Sequence, residues 1–246
     1  MKKRSRIFMP GWTCKRTTDQ KLKGKILRAV SALRWNPRPQ TIRWRIKSSA
    51  HILSLIPFVY LVYSIFTDNL GANPVEALTE ETGIWALRFL LLTLAITPVR
   101  KLLGWTWLTQ LRRMIGLYAF FYALLHFLVY IVFDQGLSLS YTYEDIVERP
   151  FITVGFAALC ILLALALTST NGWRRRLRAG WNRLHRFVYL VGVLVLLHFI
   201  WLTRADYLEP AIYTSIFIIL MIPRAIGYAK KSLSLIAEQS TSSLKK

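Results

Sequence analysis

Four histidines carry whatever metal or proton chemistry this 246-residue chain can do: His51, His126, His185 and His198. All four fall within long apolar runs, where an ionisable side chain is costly unless something satisfies it and so marks a functional site by default. The sharpest case is LHRFVYLVGVLVLLHFIWL at 184–202, which holds His185 and His198. Neutral imidazole is an axial ligand for haem iron, and bundles hold such groups between histidines of facing helices. Zinc would instead want three or four donors converging at one depth, with thiolates or carboxylates nearby. A single intramembrane histidine is as well explained by a hydrogen bond to a neighbouring helix. Four together are not.

Six apolar segments must position these rings: roughly 51–66, 82–99, 115–133, 151–168, 184–203 and 209–223. A helix needs about 20 residues to cross a bilayer core, so the first and sixth must borrow flanking residues. The expected fold is an all-α integral membrane protein, a bundle of six transmembrane helices. The connections alternate in charge. Residues 67–81 and 134–150 each hold four acids, with Arg149 the only base between them, whereas 100–114 hold four bases and 169–183 five arginines, both without an acid. The positive-inside rule then places both termini in the cytoplasm, an N-in/C-in topology.

Depth sorts the histidines in pairs. His126 and His198 lie in the outer halves of the third and fifth spans, while His51 and His185 lie at the cytoplasmic edge of the first and fifth. Two imidazoles per level suit haem rather than zinc. The rise from His185 to His198, about 19.5 Å on one helix, leaves room for two levels. On an unbroken helix, however, the two rings would point about 220° apart. Arg88, inside the outer end of the second span, could meet a haem propionate or snorkel to the interface. Arg112, Arg113 and Arg186 sit where topology alone would put arginine.

Composition excludes other classes. The net charge of +21 suggests nucleic acid at first sight, but residues 1–49 hold 15 Lys/Arg against one acid, Asp19, and the remaining charge sits in short loops. That is topological bias rather than a groove-binding patch, and no nucleic-acid partner is expected. Cys14 and Cys160 stand at no metal-site spacing. The expected organisation is a basic cytoplasmic arm over 1–49, disordered or lying on anionic lipid headgroups, a membrane domain over 50–225 and a cytoplasmic tail over 226–246. No nucleotide-binding domain fits in what remains.

Four stretches in order carry a resemblance: GANPVEALTEETGIWALRFLLLTLAITPVR at 71–100, LRRMIGLYAFFYALLH at 111–126, RPFITVGFAALCILLALALTST at 149–170, and WNRLHRFVYL with HFIWL through 202. Over about residues 44–225 the chain resembles the MsrQ (YedZ) family, haem-binding membrane subunits of the bacterial periplasmic methionine-sulfoxide reductase system, within the ferric-reductase-like transmembrane superfamily. The basic arm departs from that pattern, being longer and more basic than the family needs. The resemblance implies a b-type cytochrome of the bacterial inner membrane with one or two haems b. FMN is a further implied cofactor, which no motif here locates. Electrons would pass from the quinone pool to MsrP, a periplasmic molybdenum-cofactor enzyme that reduces methionine sulfoxide in envelope proteins. This chain would be an electron-transfer subunit and not the catalytic one. The family's haem histidines map onto His126, His185 and His198, and His51 aligns with a first-helix histidine.

Other functions remain in play on the residues alone. A stand-alone ferric or quinone reductase would use the same haem site. A proton or ion transporter would use the histidines as relays, but the spans hold almost no carboxylates and no broken helix pair in corresponding halves. A plain membrane anchor leaves the histidines without a role.

Overall fold

The structure, a computed structural model, describes residues 40–203 and 205–243. Residues 1–39, most of the basic arm and Cys14 with it, lie outside the described residues. Among those described the chain is helical: α1 Gln40–Phe66, α2 Pro74–Leu103, α3 Leu108–Val129 continued by a π-helical turn Tyr130–Asp134, α4 Leu139–Glu148, α5 Pro150–Leu167, α6 Asn171–Leu177, α7 Ala179–Leu184, α8 Phe187–Leu202 and α9 Leu208–Ser243. Six segments are long and apolar enough to cross a membrane: Trp44–Phe66, Pro74–Leu103, Leu108–Asp134, Pro150–Leu167, Ala179–Leu202 and Leu208–Ala229.

These spans match the six apolar runs in number and order and outrun most of them. Helices end where caps end them, not where hydropathy falls. Asn73 starts α2 by accepting the Glu76 N–H at 3.4 Å, with Pro74 in the first turn, where its missing N–H costs nothing. Gly104 ends it in the left-handed region at φ 70°, its N–H reaching the Arg100 carbonyl at 2.9 Å. The first and sixth spans draw on flanking residues of their own helices, reaching 23 and 22 residues.

The central element is α2, which touches α1, α3, α8 and α9. Its Leu87, Leu90, Leu91, Leu94 and Ile96 supply the middle of the core. Buried hydroxyls on this helix cannot reach water, so they turn back on their own backbone: Thr82 to the Leu78 carbonyl at 2.6 Å and Thr93 to that of Phe89 at 2.8 Å. The bundle is organised as two closely packed pairs, α2 with α3 and α5 with α8. The helices α3 and α8 share no extended backbone contact with each other. Large apolar side chains on the outside, such as Ile52, Ile56 and Val59 of α1 and Ile218, Ile219 and Ile222 of α9, are exposed in the bare chain and face where lipid would lie.

Two polar pins lock the bundle. Pro57 interrupts the hydrogen-bond ladder of α1, and the hydroxyl of Tyr122, a fully buried residue of α3, inserts there. It accepts the Phe58 N–H at 3.0 Å and donates to the Ser54 carbonyl, one turn back, at 2.8 Å. Its ring stacks on Phe89 of α2 at 5.1 Å. Arg224 of α9 donates to the Leu94 carbonyl of α2 at 2.5 Å and lies over the Tyr189 ring of α8 at 5.4 Å. Tyr122→Phe keeps the ring and strands both backbone groups in a dry interior. It is expected to cost about 1–3 kcal/mol, read as an earlier thermal unfolding midpoint of the detergent-purified protein. An unchanged midpoint would show that α1 closes its own ladder.

Candidate functional site

His126 and His198 belong to different helix pairs and meet across the space between them. His126 projects from α3 and His198 from α8, with ring centroids 6.2 Å apart and ring planes at 85°. Each ring is tied by its Nδ1 to a backbone carbonyl of the helix packed beside its own: His126 to Thr79 of α2 at 2.8 Å, His198 to Phe151 of α5 at 2.7 Å. A carbonyl oxygen only accepts, so Nδ1 must carry the proton in both rings. In a neutral imidazole that leaves Nε2 with a bare lone pair. A backbone partner on the far ring nitrogen is also how metal-bound histidines are commonly oriented.

The two seats are built alike. The carbonyl and the histidine are 47 residues apart in both cases. One turn beyond each carbonyl stands a glycine, Gly83 in α2 and Gly155 in α5. A Cβ at Gly83 would stand 3.0 Å from the His126 Nδ1, and one at Gly155 only 2.8 Å from the His198 Nδ1. The tetrapeptide around each ring repeats as well: Leu124-Leu125-His126-Phe127 and Leu196-Leu197-His198-Phe199. The glycines and the carbonyls went unnoticed in the apolar pattern, and this internal repeat is the signal that locates them.

Two imidazoles that share one metal atom through Nε2, with bonds of about 2 Å, have centroids roughly 6.3 Å apart. The observed spacing fits a bis-imidazole haem site. No group of three or more His, Cys, Asp or Glu converges among the described residues, which leaves His126 and His198 as a pair, the number of axial donors haem iron takes.

The other two histidines are not brought together. His51, exposed on α1, has its Nδ1 2.9 Å from the Tyr118 hydroxyl of α3. His185 lies in the break between α7 and α8, with its ring stacked on Trp181 at 4.0 Å and its Nε2 3.4 Å from the Thr168 hydroxyl. No hydrogen bond or ring contact joins these two histidines. The break also corrects the angular objection: the fifth span is not one helix from His185 to His198, because α8 begins only at Phe187. An offset of about 220° presumed an unbroken helix, and the turn at His185 and Arg186 removes that premise.

Among the arginines, Arg88 donates through Nε to the Tyr213 hydroxyl at 2.9 Å and lies over the Trp85 ring at 4.7 Å, which joins α2 to α9. Arg113 bonds the Ser169 carbonyl and the Asn171 side chain, fastening the start of α3 to the connection after α5. At the opposite end, beyond His126, the π-turn presents the Tyr130 hydroxyl to Asp145 at 2.7 Å. Gln135 and Arg149 complete that cluster over the acidic end of the bundle.

The family model of the ferric reductase like transmembrane component matches residues 82–197, from the helix that seats His126 to the residue before His198. With six spans, that match defines the class: a multi-pass, ferric-reductase-like transmembrane protein. The chain is 47% identical over 181 residues to the protein-methionine-sulfoxide reductase heme-binding subunit MsrQ of Xanthomonas oryzae pv. oryzae (strain MAFF 311018), covering 71% of this chain and 83% of the relative. It is 47% identical over 191 residues to the MsrQ of Herminiimonas arsenicoxydans, covering 76% and 88%. To that of Xanthomonas euvesicatoria pv. vesicatoria (strain 85-10) it is 46% identical over 181 residues, covering 71% and 83%. The chain belongs to the MsrQ family. No solved structure matches it at a significant level.

Proposed function

We propose that this protein is a b-type cytochrome of the bacterial inner membrane that carries electrons from the quinone pool to a periplasmic methionine-sulfoxide reductase of the MsrP type. The observation that carries the reading is the His126–His198 pair, 6.2 Å apart, with each Nδ1 held by a carbonyl so that the opposite nitrogen is available. The names of the relatives support it, since they are heme-binding subunits of a protein-methionine-sulfoxide reductase.

A haem held there supplies a reversible one-electron couple. The chain's own residues do the rest. His126 and His198 would bind and orient it from two separate helix pairs, α2 with α3 and α5 with α8. Arg88, held by Tyr213 and Trp85, is the cation of the second span assigned to a propionate in this reading. The site lies toward the acidic end of the bundle, which in the N-in/C-in orientation faces the periplasmic partner. His185 is the candidate ligand for a second haem at the Arg-rich end, where Arg112 and Arg113 bring positive charge close to it. FMN, which the family resemblance implies, is assigned to no residue here.

Two measurements test the reading. The purified protein should show the sharp reduced α-band of a low-spin b haem when dithionite is added; a featureless difference spectrum would leave a transporter or an anchor. Reporter fusions should place Asn73 and Glu144 in the periplasm and Gly104 and Arg176 in the cytoplasm. A cytoplasmic Asn73 would put the histidine pair on the wrong side for its partner.

A further inference from the structure

We infer that Gly83 and Gly155 are positioning residues for the two axial imidazoles: each opens the surface of its helix so that the ring of the neighbouring helix rests on bare backbone and donates Nδ1–H to the carbonyl one turn earlier. The inference rests on His126 and His198 being haem ligands and deepens that reading.

Glycine in a membrane helix commonly serves close packing of one backbone on another. These two do something else. The nearest atoms to a Cβ at Gly83 are Nδ1 and Cε1 of His126, at 3.0 and 3.1 Å, and those at Gly155 are Nδ1 and Cε1 of His198, at 2.8 and 2.9 Å. In both cases the three nearest atoms all belong to the imidazole. Neither ring is a free end that can swing away, because its Nδ1 is already hydrogen-bonded to Thr79 or Phe151. A methyl group at either glycine must lift the ring, lengthening that bond and turning the ring plane. The bond sets the tautomer and raises the basicity of the ligating nitrogen, and so tunes the metal. The ring plane matters too, since the two rings stand at 85° to each other and each is held in its plane by its own seat. The other helical glycines provide contrast. A Cβ at Gly192 of α8 would run into the Phe217 ring of α9, a packing contact, and one at Gly116 would make an ordinary 3.6 Å contact with Thr93.

The test compares Gly83→Ala, Gly155→Ala, Gly192→Ala and Gly116→Ala, each purified as the full chain and titrated with haem, then followed by redox potentiometry and by EPR of the ferric form. Gly83→Ala and Gly155→Ala should weaken haem affinity by about 10- to 100-fold, more at the tighter Gly155. Both should shift the midpoint potential and move the strongly anisotropic low-spin signal expected of perpendicular rings. Gly192→Ala should lower thermal stability while keeping potential and signal, and Gly116→Ala should match wild type. If Gly155→Ala does not assemble, the looser Gly83→Ala carries the test. Wild-type affinity, potential and EPR in Gly83→Ala and Gly155→Ala, while His126→Ala and His198→Ala lose haem, would overturn the positioning role alone. Full haem in the histidine variants would overturn the ligand reading and this inference with it.

Discussion

Changing His126 or His198 to alanine should remove most of the low-spin haem signal and stop electron delivery to sulfoxide reduction. The expectation follows from how little else in the region can replace either ring. The two imidazoles are the only histidines brought within ring contact of each other among the described residues. Among the described residues, no cluster of three or more His, Cys, Asp or Glu stands in reserve. Each alanine variant also removes a hydrogen bond to a carbonyl, that of Thr79 or Phe151, and leaves a void over the matching glycine. Some loss of stability will accompany the loss of haem. Added imidazole separates the two effects, because it can refill the cavity and restore a low-spin spectrum only if the site itself has survived. Full haem content and activity in either variant would end the assignment.

The crossing elements were legible in the sequence because the physics that makes them is crude. A run of apolar residues long enough for a bilayer core has few alternatives to a helix. Depth was legible for the same reason: counting along antiparallel spans already places His126 and His198 at one level. What escaped that reading depends on backbone detail. The interruption at His185 carries no proline or glycine, and only the structure shows that α8 begins after it. Likewise, nothing in the apolar run 82–99 sets Gly83 apart until its counterpart Gly155 is placed under the equivalent histidine. The pin at Pro57 needs a hydroxyl supplied from α3, 64 residues away. Arg88 could be read two ways from its position. Its contacts with Tyr213 and Trp85 show how it is held within the span, an arrangement no single-helix pattern encodes.

His185→Ala should cost one haem equivalent if the Arg-rich end carries a second haem, and His51→Ala should cost none. Depth alone would pair these two histidines, but their surroundings separate them. The ring of His51 is edge-on to Tyr118 at 5.7 Å and shares a hydrogen bond with that hydroxyl through Nδ1. It is exposed on the outer helix α1, where water and headgroups can satisfy an imidazole without iron. His185 is partly buried in the turn ahead of α8, flat against Trp181, and its one polar contact is a long one of 3.4 Å to Thr168. So long a contact holds Nε2 only weakly, and the nearby Arg112 and Arg113 would favour an anionic propionate beside it. Haem extraction and quantification on both variants beside wild type decides the matter. Loss with His185→Ala alone assigns the inner site to His185 and a partner other than His51. Loss in both variants would restore the pairing by depth, and an unchanged count in both would leave the His126–His198 site as the single haem of the chain.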